Sequence, residues 1–294
     1  REKTRGKTRG RSRMIKIGLI DYFLDEWHAD NYPKWIHDAS GGEVEVLYAW
    51  GEIDSPRLGG LTNQEWTAKN NIRLCSSMDE VIELSDGICV LAPDNPETHE
   101  RLCARPLMSG KPTFIDKTFA PDRASAERIF NVADRYSTPC YTSSALRFAD
   151  EYQGIDAGQI NFLSSTGGGN HVNYLIHQIE PLVLILGTSP VRVKAAGRKG
   201  NPTFFIDYPN DVSAMVTCFA PGVPFQMSFN YLNGTSETRQ VSSDFFDTFI
   251  RQLIRFYKTS EIIVPHEQTI AVMTLREACL KSLEQFDSWL YIQN

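Results

Sequence analysis

Residues 85–120, SDGICVLAPDNPETHERLCARPLMSGKPTFIDKTFA, constrain the fold most, because they read as strand, loop, helix, turn and strand within the span of one crossover unit. Residues 88–91 form an apolar run suited to a buried parallel strand. Pro93, Asn95 and Pro96 break it, residues 98–108 predict the crossover helix, and Gly110 stops that helix. Residues 113–115 give the next strand, with Asp116 and Lys117 at its carboxyl end. Ligands of open parallel sheets bind outside the carboxyl ends of the strands, so Lys117 stands where a lysine can do chemistry. Its plainer alternative is a solvated lysine at a strand end.

The same alternation continues on both sides of this unit. Residues 15–20, 44–49 and 139–141 read as strands, and residues 28–40, 79–84 and 122–136 as helices. The pattern predicts an α/β chain whose residues 14–146 form a Rossmann-type doubly wound parallel sheet. After Arg147 the signals become strand-rich, at residues 160–163, 191–195, 212–219 and 223–231, with helices at 172–186, 244–257 and 267–286. They predict an α+β domain over residues 147–294 with a largely antiparallel sheet, its closing helices able to pack back on the first domain. Two domains leave a cleft between them.

Charge and composition narrow the function. The first 13 residues carry seven basic side chains and one acidic, which predicts a disordered basic arm, read as an upstream extension. Removing its net +6 takes the chain from −6 to −12, and so acidic a body argues against nucleic acid as a partner. No apolar run approaches the roughly 20 residues that span a bilayer, so no membrane segment is expected. The six cysteines are scattered, with no CxxC pair and no apolar leader before them, a pattern that predicts reduced thiols and a cytoplasmic protein.

Four local patterns, taken in order, resemble the glucose-fructose oxidoreductase and inositol dehydrogenase family, often called Gfo/Idh/MocA. They are LAPDNPETH after a strand, GKPTFIDKT, ALRFADE, and the glycine-rich turn leading to a helical histidine, GGGNHVNYLIHQIEPLVLILG. The closing stretch FFDTFIRQLIRFYKTSEIIVPHEQTIAVMTLREACLKS is similar to the family's final helix, strand and helix. The resemblance covers Met14 to the C-terminus. It implies a dinucleotide-binding first domain that takes NAD or NADP, and a second domain whose sheet covers the cofactor and forms the contacts of a homodimer or tetramer. The reaction it implies is oxidation of a sugar or polyol hydroxyl, or reduction of the corresponding carbonyl.

Carried over position by position, Lys117 matches the lysine that orients substrate and cofactor, and His177 the general acid/base, with Asn173 on the same helix face. The bland reading of His177 is a satisfied histidine on a buried helix face. Asp21, Tyr22, Phe23, Glu52, Pro93, Asn95, His99, Asp116 and Lys117 fall at positions that contact the cofactor. Arg147, His171 and Glu180 fall near the substrate. His99, read from its helix alone, is a surface residue.

The first turn departs from the family pattern. A pyrophosphate is normally held by G-x-G-x-x-G, because glycines let backbone N–H groups approach it at the helix N-terminus. Here Asp21-Tyr22-Phe23-Leu24-Asp25-Glu26-Trp27 follows Gly18-Leu19-Ile20, with no glycine in the loop and three carboxylates near the helix start. The second strand runs on through Trp50 and Gly51 before Glu52, the acid available to the ribose hydroxyls, and Asn173 replaces the aspartate the family often places four residues before the histidine. These departures leave open a cofactor-independent lyase, isomerase or hydrolase using His177 and Lys117, or a non-enzymatic sugar-sensing protein. His28, Asp30, His171 and Glu180 add polar groups whose spacing matches no zinc motif.

Overall fold

A computed structural model describes residues 13–293, so the basic arm lies outside the described residues except for Arg13. The first half alternates β1 (Ile15–Asp21), α1 (Trp27–Ser40), β2 (Val44–Gly51), α2 (Asn63–Asn70), β3 (Arg73–Leu74), α3 (Met78–Leu84), β4 (Gly87–Val90), α4 (His99–Leu107), β5 (Thr113–Ile115), α5 (Arg123–Arg135) and β6 (Cys140–Tyr141). Every neighbouring pair is parallel, in the spatial order β3-β2-β1-β4-β5-β6. The order reverses between β1 and β4, which opens a crevice at the carboxyl ends of the strands. Helices cover both faces, which is why Ile17, Leu19 and Ile20 on β1 are all fully buried despite pointing alternately to opposite sides.

The second half contains β7 (Ile160–Gly168), α6 (Leu175–Leu186), β8 (Arg192–Arg198), β9 (Asn201–Tyr208), β10 (Val212–Phe219), β11 (Gln226–Tyr231), β12 (Ser236–Gln240), α7 (Phe245–Thr259), α8 (His266–Ser282) and β13 (Leu290–Tyr291). Its sheet runs β12-β11-β7-β10-β9-β8-β13 and is antiparallel except where β7 pairs with β10. Residues of α6 and α8 join the apolar layer of this sheet in one core that reaches Val90 and Ile115 of the first sheet. Among the described residues, no helix is long and apolar enough to cross a membrane. All six cysteines are free and buried.

Helix α7 leaves the second half and packs on the first. Phe249 lies 5.6 Å, ring to ring, from both Tyr32 and Phe114, and Phe256 lies 4.9 Å from Tyr141. The Tyr257 hydroxyl donates to the Ile88 carbonyl at 2.9 Å. Gly87 makes room for that ring, since a Cβ there would lie 2.6 Å from it.

Several elements differ from the sequence reading, each for a local reason. The strand expected from residue 223 begins at Gln226, because Pro224 has no N–H to give a ladder. The helix expected from residue 172 begins at Leu175, since the Asn170 side chain takes the N–H groups of Val172 and Asn173 into a turn, at 3.0 and 2.9 Å. β9, whose second residue is Pro202, and the short β3, β12 and β13 escaped the pattern, as did α2.

Gly169 sits between β7 and α6 at φ +112°, a conformation side chains rarely adopt, and a Cβ there would lie 2.2 Å from the Tyr174 ring. Gly169→Ala is expected to cost about 2 kcal/mol or more of stability, read as a lowered midpoint in urea unfolding with an unchanged slope.

Candidate active site

A cavity of about 460 Å³ lies at the carboxyl ends of β1, β4 and β5, walled on the far side by the start of α6 and by Phe245 and Phe246 of α7. Lys117, immediately after β5, is largely buried; its Nζ lies 3.3 Å from the Pro93 carbonyl and 3.7 Å from Asp94 Oδ1. His177, in the first turn of α6, faces the same cavity from the other half. Pro93, Asn95, Asp21, Phe23 and Asn173 also line it, so the fold brings together residues that the sequence separates widely.

His177 is held by Ser144, whose Oγ lies 2.7 Å from Nδ1. The Leu146 N–H donates to the same Oγ at 3.3 Å, so one hydroxyl ties the imidazole to the turn after β6. Burial, then Lys117, then His28 hold the imidazole well below the usual histidine range, so it is neutral at pH 7.

The N-terminus of α1 is already occupied by protein. Glu26 is its N-cap residue, and its carboxylate accepts from the His28 N–H at 2.7 Å and the Ala29 N–H at 2.5 Å. Burial pushes Glu26 up to about 7, Asp116 adding to the effect and His28 opposing it. Asp21, at the end of β1 and 1% exposed, is raised well above the carboxylate range by burial and by Glu26, and its Oδ2 has no partner.

The loop after β1 closes the adjoining part of the crevice. The Asp21 and Tyr22 carbonyls accept from the Glu52 and Ile53 N–H groups at 3.0 and 2.9 Å. The Arg101 guanidinium lies 5.6 Å from the Tyr22 ring centre and that of Arg57 5.5 Å from Phe23. Glu52 directly follows β2, but its carboxylate takes two bonds from Arg101, 3.0 Å to Nε and 2.5 Å to Nη2.

His28 and Asp116 form a pair that the sequence reading did not assemble. His28 Nδ1 is hydrogen-bonded to Asp116 Oδ2, and its ring stacks on Tyr32 with centres 5.0 Å apart. Asp116 is fully buried, and its other oxygen accepts the Lys117 N–H at 2.9 Å. The partners are 88 residues apart, so only the sheet order that places the end of β5 near α1 reveals them.

Other candidates lie elsewhere. His99 is fully buried rather than on the surface, outside the cavity, with its ring nitrogens on the Leu91 and Phe119 carbonyls. Glu180 accepts from Ser143 Oγ at 2.9 Å and Ser144 N–H at 2.6 Å, lies 3.8 Å from Arg147, and is pushed up to about 7 by burial. Both residues line a smaller hollow behind Lys117. His171 packs near Phe204, and Asp30 accepts from the Trp66 indole at 2.8 Å. Among the described residues no group of His, Cys, Asp and Glu is placed to hold a metal.

No protein-family model and no curated protein sequence matches the chain. Solved structures do. GenD2 from gentamicin A biosynthesis in complex with NAD matches with TM-score 0.77 and 11% identity over 98% of this chain and 99% of that one. Myo-inositol dehydrogenase from Lactobacillus casei in complex with NAD(H) and myo-inositol matches with TM-score 0.79 and 11% identity over 96% and 97% of the two chains. Myo-inositol 2-dehydrogenase from Lactobacillus plantarum gives TM-score 0.76 and 15% identity over 95% of this chain and all of the other, 100%. The fold implied by the sequence resemblance is the fold of the chain.

Glu26 yields a pH prediction. Its proton affinity is raised on folding, from an ordinary value near 4.5 to about 7, so the folded state binds more protons between those values and loses stability as pH rises through them. Glu26→Gln is expected to gain stability relative to the parent from pH 5 to pH 8, by up to about 3 kcal/mol. The comparison must be with the variant, since the lowered His99 and His177 act with opposite sign in that window. Chemical unfolding at both pH values reads the difference.

Proposed function

We propose that this chain is a divergent member of the Gfo/Idh/MocA family and an enzyme acting on the CH–OH or C=O carbon of a sugar, polyol or related compound. The observation that carries this reading is the presence of Lys117 and His177 on one enclosed cavity, at the edge of the sheet where such folds bind ligands. The Lys117 ammonium donates to a substrate oxygen and holds it in place. His177, neutral and fixed by Ser144, exchanges the proton of that oxygen as it changes between hydroxyl and carbonyl.

Likeness to NAD-bound dehydrogenases over nearly the whole chain supports an oxidoreductase on CH–OH donors, with NAD or NADP as the hydride acceptor. A pyrophosphate does not fit the N-terminus of α1 as it stands. Its first N–H donors are taken by Glu26, whose carboxylate occupies the place an anion would fill. This favours a second reading, in which the same residues perform acid/base chemistry without a dinucleotide.

Titration with NADH and NADPH, followed by nicotinamide fluorescence and by melting temperature, separates the two. On the oxidoreductase reading binding is saturable and micromolar, weakens as pH rises through 7 and Glu26 ionises, and tightens about tenfold at pH 8 in Glu26→Gln. If neither the parent nor the variant binds either nucleotide, that reading is wrong.

On either reading Lys117→Met removes the substrate's charged donor. With a turned-over sugar or polyol in hand, kcat/KM is expected to fall about 100-fold or more while the melting temperature changes little.

A further inference from the structure

The first turn of α1, where a dinucleotide of this fold would place its pyrophosphate, presents a histidine to the cavity. Asp116 accepts the His28 Nδ1 proton through one oxygen and the Lys117 N–H, at 2.9 Å, through the other. A carboxylate held at both oxygens fixes the Nδ1–H tautomer and leaves the Nε2 lone pair unused. Stacking on Tyr32 fixes the plane of the ring. His28 Nε2 is bonded to no protein group, yet it is not among the buried unpartnered atoms, because His28 lines the cavity. His177 presents its own Nε2 to the same space, with Nδ1 likewise tied, by Ser144. The cavity therefore holds two imidazoles, each oriented through Nδ1, and the Lys117 ammonium.

We infer that this cavity catalyses dinucleotide-independent proton transfer at the carbon next to the carbonyl of a keto sugar or keto polyol, with His28 as the base and Asp116 as its positioning residue. The inference rests on reading the cavity as a sugar or polyol site and not on the oxidoreductase reading.

The step balances within the substrate. His28 Nε2 removes the proton of the C–H bond beside the carbonyl; that bonding pair forms a carbon–carbon double bond, and the carbonyl π pair moves to oxygen. Lys117 Nζ donates to this oxygen, joined by His177 Nε2–H in the tautomer whose Nδ1 accepts from Ser144, a neutral imidazole then serving as hydrogen-bond donor. Return of the proton from His28 to carbon regenerates a carbonyl compound. With the proton returned to the same carbon the substrate is regenerated, so each cycle exchanges one carbon-bound proton with His28 and consumes no outside oxidant or reductant.

The test is loss of the carbon-bound proton signal in D₂O, followed by ¹H NMR, with the full chain and 2-ketohexoses, 2-ketopentoses and keto-cyclitols as probes. Exchange above the buffer rate is expected for at least one probe, unchanged by added NAD or NADP. In His28→Gln and His28→Asn, each first shown to be folded by its melting curve, it falls about 100-fold or more. Asp116→Asn lowers kcat about tenfold or more with little change in KM, and the ¹⁵N shifts of His28 lose the Nδ1–H pattern. Exchange that persists in the folded His28 variants, that no probe shows, or that needs NAD or NADP overturns the inference. A probe that raises the melting temperature without exchanging keeps the sugar site and removes only the chemistry; if no probe raises it, the sugar-site reading fails as well.

Discussion

Asp116 is the tie on which the site depends. One oxygen reaches across the crevice to His28 at the start of α1, and the other binds the backbone N–H of the next residue, Lys117. A single buried carboxylate thus couples the end of β5 to the first helix and sets the backbone from which the lysine side chain departs. A buried charge survives only when its bonds are nearly complete, and here the N–H of the helix residue and that of the lysine supply them. Removing either partner would leave the carboxylate unsatisfied and free the two sides of the crevice from each other.

Around that tie the first helix has been put to a different use from the one its fold usually gives it. A helix N-terminus offers N–H groups and a partial positive charge to an anion. In this chain a side chain of the protein is the anion. Glu26 satisfies the donors internally, and the raised proton affinities of Glu26 and Asp21 show what it costs to bury carboxylates side by side. Tyr22, Phe23, Arg57 and Arg101 finish the closure by packing rings against guanidinium groups. The open space that remains sits over Lys117 and between the two halves, and it is polar on one wall and aromatic on the other.

Much of this was readable in the sequence, and the unreadable part has a common cause. The buried strands announced themselves as apolar runs, Lys117 followed from the strand that carries it, and His177 came from the family resemblance. Two-residue strands such as β3 and β13 have no pattern to read, and β9 carries a proline, Pro202, next to its start. The missing pieces of the site are partnerships rather than residues. His28 was visible as a polar residue and Asp116 as a strand-end acid, but their bond spans 88 positions and exists only because β1 and β5 flank β4. Ser144 carries no signal of its own; it becomes the partner of His177 because β6 ends opposite α6. Side-chain periodicity reports one element at a time, whereas a site is made where several elements end.

The return of α7 to the first sheet has a mechanical consequence. Its first residues, Phe245 and Phe246, wall the cavity, while Tyr257, near its other end, is bonded to the backbone of β4. One rigid rod therefore runs from the mouth of the site to the middle of the opposite sheet. The two halves are threaded through each other, and a cut at the apparent domain boundary would leave Phe114 and Tyr141 without their cover. Opening of the cleft cannot proceed as a free hinge between independent bodies; it must bend or slide this helix, so access to the cavity and integrity of the first core rise and fall as one cooperative unit.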